Sequence, residues 1–214
     1  RLDGSGAVVN QGSGAAIRNN LVGTTGMGLA ALANGAGGIV VMVPDVTIGG
    51  VTAAERNVIS GNGSRGINAI ADVVFPAGGG SPTAVTLPTR LVVQGNYIGT
   101  DAAGLAPLGN SIGGISATGA TTTIGGGNNT PGGECTGACN LISGNSGTGL
   151  SLGTHYLNNA TTNPTGVFYS SATGSVVEGN YIGVNRNGNA NVLPAGPMGN
   201  SSHGIARTRQ NVIE

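Results

Sequence analysis

The stretch Val93-Gln-Gly-Asn-Tyr-Ile-Gly99 decides how this chain folds, because it is repeated. It returns as Val177-Glu-Gly-Asn-Tyr-Ile-Gly183, and a more divergent copy lies at Ile17-Arg-Asn-Asn-Leu-Val-Gly23. All three copies keep an apolar first residue, an asparagine at the fourth position and a glycine at the last. The second position holds Gln, Glu or Arg, as a solvent-facing position would. The chain is therefore built from one recurring structural unit.

A longer repeat surrounds this stretch. The first two copies stay in register at an offset of 76 positions over a long segment. The motif Asn57-Val-Ile-Ser-Gly-Asn62 is matched by Asn140-Leu-Ile-Ser-Gly-Asn145, and the copies differ by insertions at fixed points. Two further excursions are expected at Pro76–Pro88 and Asn158–Pro164. Insertions confined to fixed points are typical of loops on a solenoid.

The local chemistry of each piece predicts strands joined by tight turns. The apolar pieces are short, rich in β-branched residues, and bounded by Gly, Asn, Ser or Pro. Asparagine tolerates left-handed backbone angles, and stacked asparagines from successive rungs can hydrogen-bond to one another. We therefore expect all-β structure, with strands paired in parallel between rungs. The turn and ladder positions predicted from the repeat are Asn20, Asn62, Asn96, Asn145 and Asn180.

Composition excludes several classes of partner. The 214 residues contain 43 Gly, only 7% charged residues and a net charge of zero. This balance gives no electrostatic footprint for nucleic acid. No apolar run approaches the length of about 18 residues that a membrane helix needs, so membrane insertion is not expected in this segment.

These repeats resemble the right-handed parallel β-helix repeat proteins of prokaryotic cell surfaces. The resemblance rests on Asn-Val-Ile-Ser-Gly-Asn and Gly-Asn-Tyr-Ile-Gly-Thr, and it covers essentially the whole chain. It implies a right-handed, single-stranded parallel β-helix over residues 1–214, exported from the cell. With about 20–25 residues per rung, it implies about nine or ten rungs. The chain opens in mid-pattern and ends inside a rung, so we expect an excerpt of a longer solenoid or a subunit without caps.

Cys135 and Cys139 are the only cysteines, and both lie in an insertion that the first copy lacks. We expect a disulfide that closes this loop, which fits an oxidising, extracytoplasmic setting. The alternative is a metal site, but it would need more ligands, and no histidine is near in sequence.

Catalysis is not expected, because no two acidic residues are adjacent or two positions apart, although stacking could join distant ones. No cofactor is expected either. The loop residues Asp101, Asn185, Asn187 and Asn189 could hold a structural Ca²⁺, although solvated polar side chains are the simpler interpretation. Tyr97 and Tyr181 share one repeat position, where packing at the edge of the core is favoured over a platform for sugars.

Three functions are consistent with the sequence. The first is a structural rod or filament of the cell surface, with end-to-end self-association. The second is an adhesin-like module whose inserted loops bind glycans. The third is a carbohydrate-active enzyme, a polysaccharide lyase or glycosidase, which requires acidic residues clustered across rungs.

Overall fold

A computed structural model describes residues 14–74, 77, 84–118, 121–127, 132–153, 155–157, 168–170, 174–190 and 196–208. Their regular structure is β, apart from one 3-10 helical turn at Ala53–Glu55. Within these residues, no helix has the length and apolar character needed to cross a membrane. The strands in chain order are β1 Ala16–Ile17, β2 Leu21–Val22, β3 Ile39–Val41, β4 Thr47–Gly49, β5 Val58–Ile59, β6 Arg65–Ala69, β7 Asp72–Val74, β8 Ala84–Thr86, β9 Leu91–Gln94, β10 Tyr97–Ile98, β11 Gly113–Thr118, β12 Thr122–Gly125, β13 Leu141–Ile142, β14 Thr148–Gly153, β15 His155–Leu157, β16 Phe168–Ser170, β17 Val176–Glu178, β18 Tyr181–Ile182 and β19 Ile205–Thr208.

Fifteen of these strands form three parallel sheets of five strands each. Sheet 1 has the order β1-β4-β9-β12-β17, sheet 2 contains β2-β5-β10-β13-β18, and sheet 3 contains β3-β6-β11-β14-β19. The chain visits the three sheets in turn before it returns to the first, one strand further along. This path is a parallel β-helix, as the sequence predicts. Each visit to all three sheets is one rung, so rung 1 is β1–β3 and rung 5 is β17–β19.

The described residues form five rungs, so the expectation of nine or ten was wrong. Ala16 pairs with Thr47 and Val92 pairs with Thr123, an offset of 31 positions in both cases. The intervening step, from Thr47 to Val92, is 45 positions, and the step from Thr123 to Val176 is 53. One short and one long step together give the 76-position repeat. The repeating unit therefore contains two rungs, and three strands with their loops need more residues than the 20–25 assumed for one rung.

The core lies between the three sheets and consists of stacked aliphatic columns. Ile48, Val93 and Ile124 form the buried column of sheet 1. The other two columns include Ile59, Ile98, Ile142, Ile67, Ile115 and Leu150, all at most 2% exposed. Burying one such side chain contributes about 1.5–3 kcal/mol. Successive side chains of a strand point to opposite faces of the sheet, so the neighbours of these core residues point away from the core.

A second apolar cluster covers the outer face of sheet 2. Tyr97 and Tyr181 lie there with Val58, Leu141 and the cysteines, 1% and 8% exposed respectively. The guanidinium carbon of Arg56 is 4.0 Å from the centroid of the Tyr97 ring. Packing therefore occupies both tyrosines, as expected, and no flat face of either ring is open to a sugar.

Two antiparallel hairpins project from the solenoid between sheet 3 and sheet 1. The first pairs β7 with β8 after rung 2, and the second pairs β15 with β16 after rung 4. The excursion expected at Pro76–Pro88 overlaps the first hairpin. The excursion expected at Asn158–Pro164 lies outside the described residues, between the two paired strands of the second hairpin.

Loop length alternates from rung to rung. In odd rungs the connection from sheet 2 to sheet 3 is long, at 23–38, 99–112 and 183–204. Its first part, at 23–33, 99–109 and 183–199, is here called loop 1, loop 3 and loop 5. In even rungs the same connection has five residues, 60–64 and 143–147, and a two-residue corner, 60–61 or 143–144, takes the place of the loop. The connection from sheet 1 to sheet 2 alternates in the opposite sense. It is long only in even rungs, where it includes Ala53–Glu55 and the disulfide insertion.

Candidate functional site

Two asparagine ladders run along the solenoid. The first lies where sheet 1 meets sheet 2 and contains one asparagine from every rung. In this ladder each side-chain amide donates to the Oδ1 of the next, at 2.9, 2.9, 3.1 and 2.9 Å. Its members are Asn20, Asn57, Asn96, Asn140 and Asn180.

The second ladder lies where sheet 2 meets sheet 3. Its amide-to-Oδ1 distances are 2.8, 2.8, 2.9 and 3.0 Å. Its members are Asn34, Asn62, Asn110, Asn145 and Asn200. The five positions predicted from the sequence are thus divided between the ladders. Asn20, Asn96 and Asn180 belong to the first, and Asn62 and Asn145 belong to the second.

The prediction missed half of the ladder members, although the sequence contains a signal for two of them. Asn57 and Asn140 each stand two residues before an isoleucine, as Asn96 and Asn180 do. Aligning the chain on this Asn-x-Ile spacing would have placed all four in one column. The 76-position offset spans two rungs, so it relates asparagines of alternate rungs only.

Each central ladder amide uses its full hydrogen-bonding capacity. The Oδ1 of Asn96 accepts from the backbone N–H of Asn57 at 3.3 Å and from its amide at 2.9 Å. The Asn96 amide in turn donates to the carbonyls of Ile48 and Gln94, both at 2.9 Å, and to Oδ1 of Asn140 at 3.1 Å. Because Asn96 is fully buried, these bonds stabilise the corner and leave no group for a ligand.

Cys135 and Cys139 form a disulfide, and both residues are buried. The insertion that carries them is docked on rung 5. The Cys135 N–H donates to the carbonyl of Arg186 at 2.7 Å, and the Tyr181 hydroxyl donates to the carbonyl of Gly133 at 2.5 Å. The Arg186 guanidinium also lies 3.3 Å from the Glu134 carboxylate. The disulfide therefore closes an insertion of rung 4 that packs on rung 5. The contacts of residues 133–135 with Tyr181 and Arg186 are here called the clamp.

The carboxylates of the described residues are dispersed. Asp45 pairs with Arg90, Glu55 pairs with Arg18 at 3.1 Å, and Glu134 pairs with Arg186. In the part of the chain that the structure describes, no three residues of the His, Cys, Asp and Glu types are grouped as a metal ion would require. The stacked carboxylate pair that a glycoside hydrolase needs is likewise not formed by these ion-paired side chains.

Two of these charged groups have perturbed pKa values. The pKa of Glu55 is lowered, chiefly by a hydrogen bond from the Thr52 hydroxyl, then by the Thr52 backbone and by Arg18. The pKa of Arg90 is raised by its hydrogen bond and charge interaction with Asp45. Glu55 is half-buried and Arg90 is exposed, so the two pKa shifts reflect local hydrogen bonds and ion pairing.

The candidate calcium residues have a structural role in the loops. In loop 3, Oδ1 of Asp101 accepts from the backbone N–H of Leu105 at 2.8 Å and of Ala106 at 3.2 Å. In loop 5, Oδ1 of Asn185 accepts from Asn187 and Asn189, both at 3.0 Å. The two side chains close equivalent turns, and the backbone N–H groups of Asn187 and Asn189 point at Asn185.

Ser202 and His203 are neighbours in an irregular segment that is not part of a strand. The Ser202 hydroxyl is 3.0 Å from Nδ1 of His203. Both residues are exposed at the corner before β19, and no carboxylate of a described residue pairs with the imidazole. The pair therefore lacks the buried acid that orients a catalytic histidine.

The fold thus defines a parallel β-helix solenoid whose ladder asparagines, disulfide and ion pairs contact its own corners and loops. Comparison with known proteins gives no match to a protein-family model, to a curated protein or to a solved structure.

Proposed function

We propose that this segment is a non-catalytic structural repeat module, a stiff rod exposed outside the cell or on its surface. The observation that carries the proposal is the continuity of both asparagine ladders through all five rungs. The most elaborate polar networks of the described residues connect one rung to the next. This arrangement resists bending and shearing between rungs.

Stiffness has two further sources. The aliphatic columns pack across every rung interface, and the long loops hydrogen-bond to one another along the outside of sheet 2. Opening any one interface therefore breaks backbone pairs in three sheets, two ladder contacts and part of the core together. Such coupling between neighbouring rungs is the basis of stability in solenoid proteins.

The disulfide supports a location outside the cytosol. Cys135 and Cys139 are paired, and disulfides persist in oxidising compartments such as the cell exterior and the bacterial periplasm. Three ion pairs and the two ladders engage six charged residues and ten asparagines of the described part of the chain. The module therefore presents loops and hairpins as its variable external features.

Force spectroscopy tests the mechanical part of the proposal. The segment would be held between handles at its two ends and extended. We expect resolved unfolding events, each releasing one or two rungs, and lower forces for Asn96→Ala than for the exposed ladder-end variant Asn20→Ala. Smooth extension without a resolved event would contradict a mechanical role.

Location and binding are tested separately. Antibody labelling of intact producing cells should detect the segment, whereas detection only after lysis would contradict surface exposure. A glycan array and a panel of polysaccharides with a reducing-sugar assay distinguish the two alternatives. Specific array binding would favour an adhesin, and release of reducing ends would favour an enzyme.

A further inference from the structure

The long loops of the odd rungs stack directly on one another. Ala102 in loop 3 donates its N–H to the carbonyl of Gly28 in loop 1 at 2.9 Å. Arg186 in loop 5 makes the same bond to Gly104 in loop 3, also at 2.9 Å. Loops whose strands are two rungs apart are therefore in direct contact at these residues.

Each long loop covers the outer face of sheet 2 over more than its own rung. A Cβ built on Gly104 would lie 2.8 Å from a ring carbon of Tyr97 in rung 3 and 2.9 Å from a methyl of Leu141 in rung 4. The same Cβ would lie 3.1 Å from Cβ of Arg186 in loop 5. Loop 3 thus occupies the space in which a long loop of rung 4 would have to lie.

The short corners of the even rungs fit between two long loops. Gly61 donates to the carbonyl of Leu108 in loop 3 at 2.8 Å, and a Cβ on Gly61 would be 2.8 Å from Cβ of Ala31 in loop 1. Gly144 repeats this arrangement, with a bond to Met198 in loop 5 at 2.8 Å and a Cβ distance of 2.8 Å to Pro107 in loop 3. Since even a methyl group would clash at both corners, the even position admits only the two-residue connection.

We propose that two long loops cannot lie on adjacent rungs, so that an odd rung of this solenoid accepts only a neighbour with the short corner. An odd rung, such as rung 5, accepts as its neighbour an even rung with a two-residue corner between sheet 2 and sheet 3. It rejects an odd rung, because two long loops would then compete for one space. The rule applies equally to later residues of a chain and to a second molecule.

The rule restricts the expected end-to-end self-association. Direct docking of rung 1 of one molecule on rung 5 of another would bring two odd rungs together, with loop 1 against loop 5. The partner that fits rung 5 is a parallel β-helix rung of the even type. The inference deepens the proposed structural role, and its readout is rung stacking rather than force, location or glycan binding, so the two proposals can fail separately.

Three insertions into the full chain test the rule. The first repeats residues 93–176 after position 176, which adds one odd and one even rung. The second repeats residues 93–123 after position 123, which adds an odd rung beside an odd rung. The third is the same as the second, but residues 99–109 of the added copy are replaced by Ser-Gly, the connection found at 60–61.

Hydrogen exchange, measured by mass spectrometry, and the thermal midpoint show whether each added rung is stacked. The duplicated peptides are identical, so one protected isotopic envelope means that both copies are stacked, and two envelopes mean that one copy is excluded. We expect one envelope and a midpoint no lower than wild type for the first and third variants. We expect two envelopes and a lower midpoint for the second.

The third variant is the matched control, because it has the same insertion site and one added rung but no second long loop. A second variant that shows one protected envelope and the midpoint of the third would overturn the rule. Two envelopes in the first variant would also overturn it, because long loops on alternate rungs would then be rejected as well.

Discussion

Removing one central ladder amide should destabilise this protein far more than removing a terminal one. In Asn96→Ala, the backbone N–H of Asn57 loses the acceptor at 3.3 Å and its amide loses the acceptor at 2.9 Å. The carbonyl of Ile48 and Oδ1 of Asn140 each lose one donor. Two or three buried groups without a partner, at about 1–3 kcal/mol each, give a loss of about 3–5 kcal/mol.

This loss is large beside the total stability of a domain, which is about 5–15 kcal/mol. For a chain of this size it corresponds to a decrease of about 6–20 °C in the thermal midpoint. Equilibrium unfolding in urea, followed by circular dichroism, measures the change in free energy. Hydrogen exchange of rungs 2 to 4 shows whether the loss is local to the first ladder.

The control is Asn20→Ala, at the exposed end of the same ladder. Asn20 donates to the carbonyl of Arg18 at 2.7 Å and to Oδ1 of Asn57 at 2.9 Å, where water can replace it. We expect this variant to lose less than about 1 kcal/mol. If Asn96→Ala and Asn20→Ala lose stability within about 1 kcal/mol of each other, the hydrogen bonds of the buried ladder amide do not stabilise the rungs.

Three further predictions address other features. Reduction of the disulfide should lower the free energy of unfolding by about 2 kcal/mol, since the closed loop is short. It should also raise the hydrogen-exchange rate of the amides in the clamp on rung 5. Unchanged exchange rates would contradict the clamp. Because the pKa of Glu55 is lowered by Thr52 and Arg18, its stabilising contribution is present above the unfolded pKa and is lost as pH falls through the folded pKa. The difference in stability between wild type and Glu55→Gln should therefore shrink as pH falls from neutral to about 3, in urea titrations at several pH values. Gly99→Ala should destabilise the protein more than Gly14→Ala. Both glycines have positive φ, but only a Cβ on Gly99 would clash, at 2.3 Å from the carbonyl oxygen of Ser143. Equal thermal midpoints of the two variants would refute this prediction.

Most of the local structure could be predicted from the sequence. The tight corners follow from Gly and Asn, and the inward residues follow from alternation in short β-branched strands. The packing of Tyr97 was expected from its recurrence at Tyr181. These features depend on residues close together in the chain, so the local sequence is enough to predict them.

The number of rungs could not be read from the repeat. The 76-position offset counts residues between equivalent asparagines, and it does not say how often the chain circles the core between them. Only the pairing of Tyr97 with Val58 and with Leu141 places the Asn-x-Ile segments in consecutive rungs of one sheet. That pairing joins residues about forty positions apart, so local sequence does not encode it.

The sequence by itself determined that the chain is a stack of short strands with asparagine corners, because turn chemistry and strand periodicity are local. Only the tertiary structure decided that the asparagines form two ladders, that two rungs make one repeat, and that the clamp of Cys135 closes on Arg186. Those features arise from contacts across rungs. Packing of one loop against the next, rather than the conformational preference of any single residue, determines how the rungs stack.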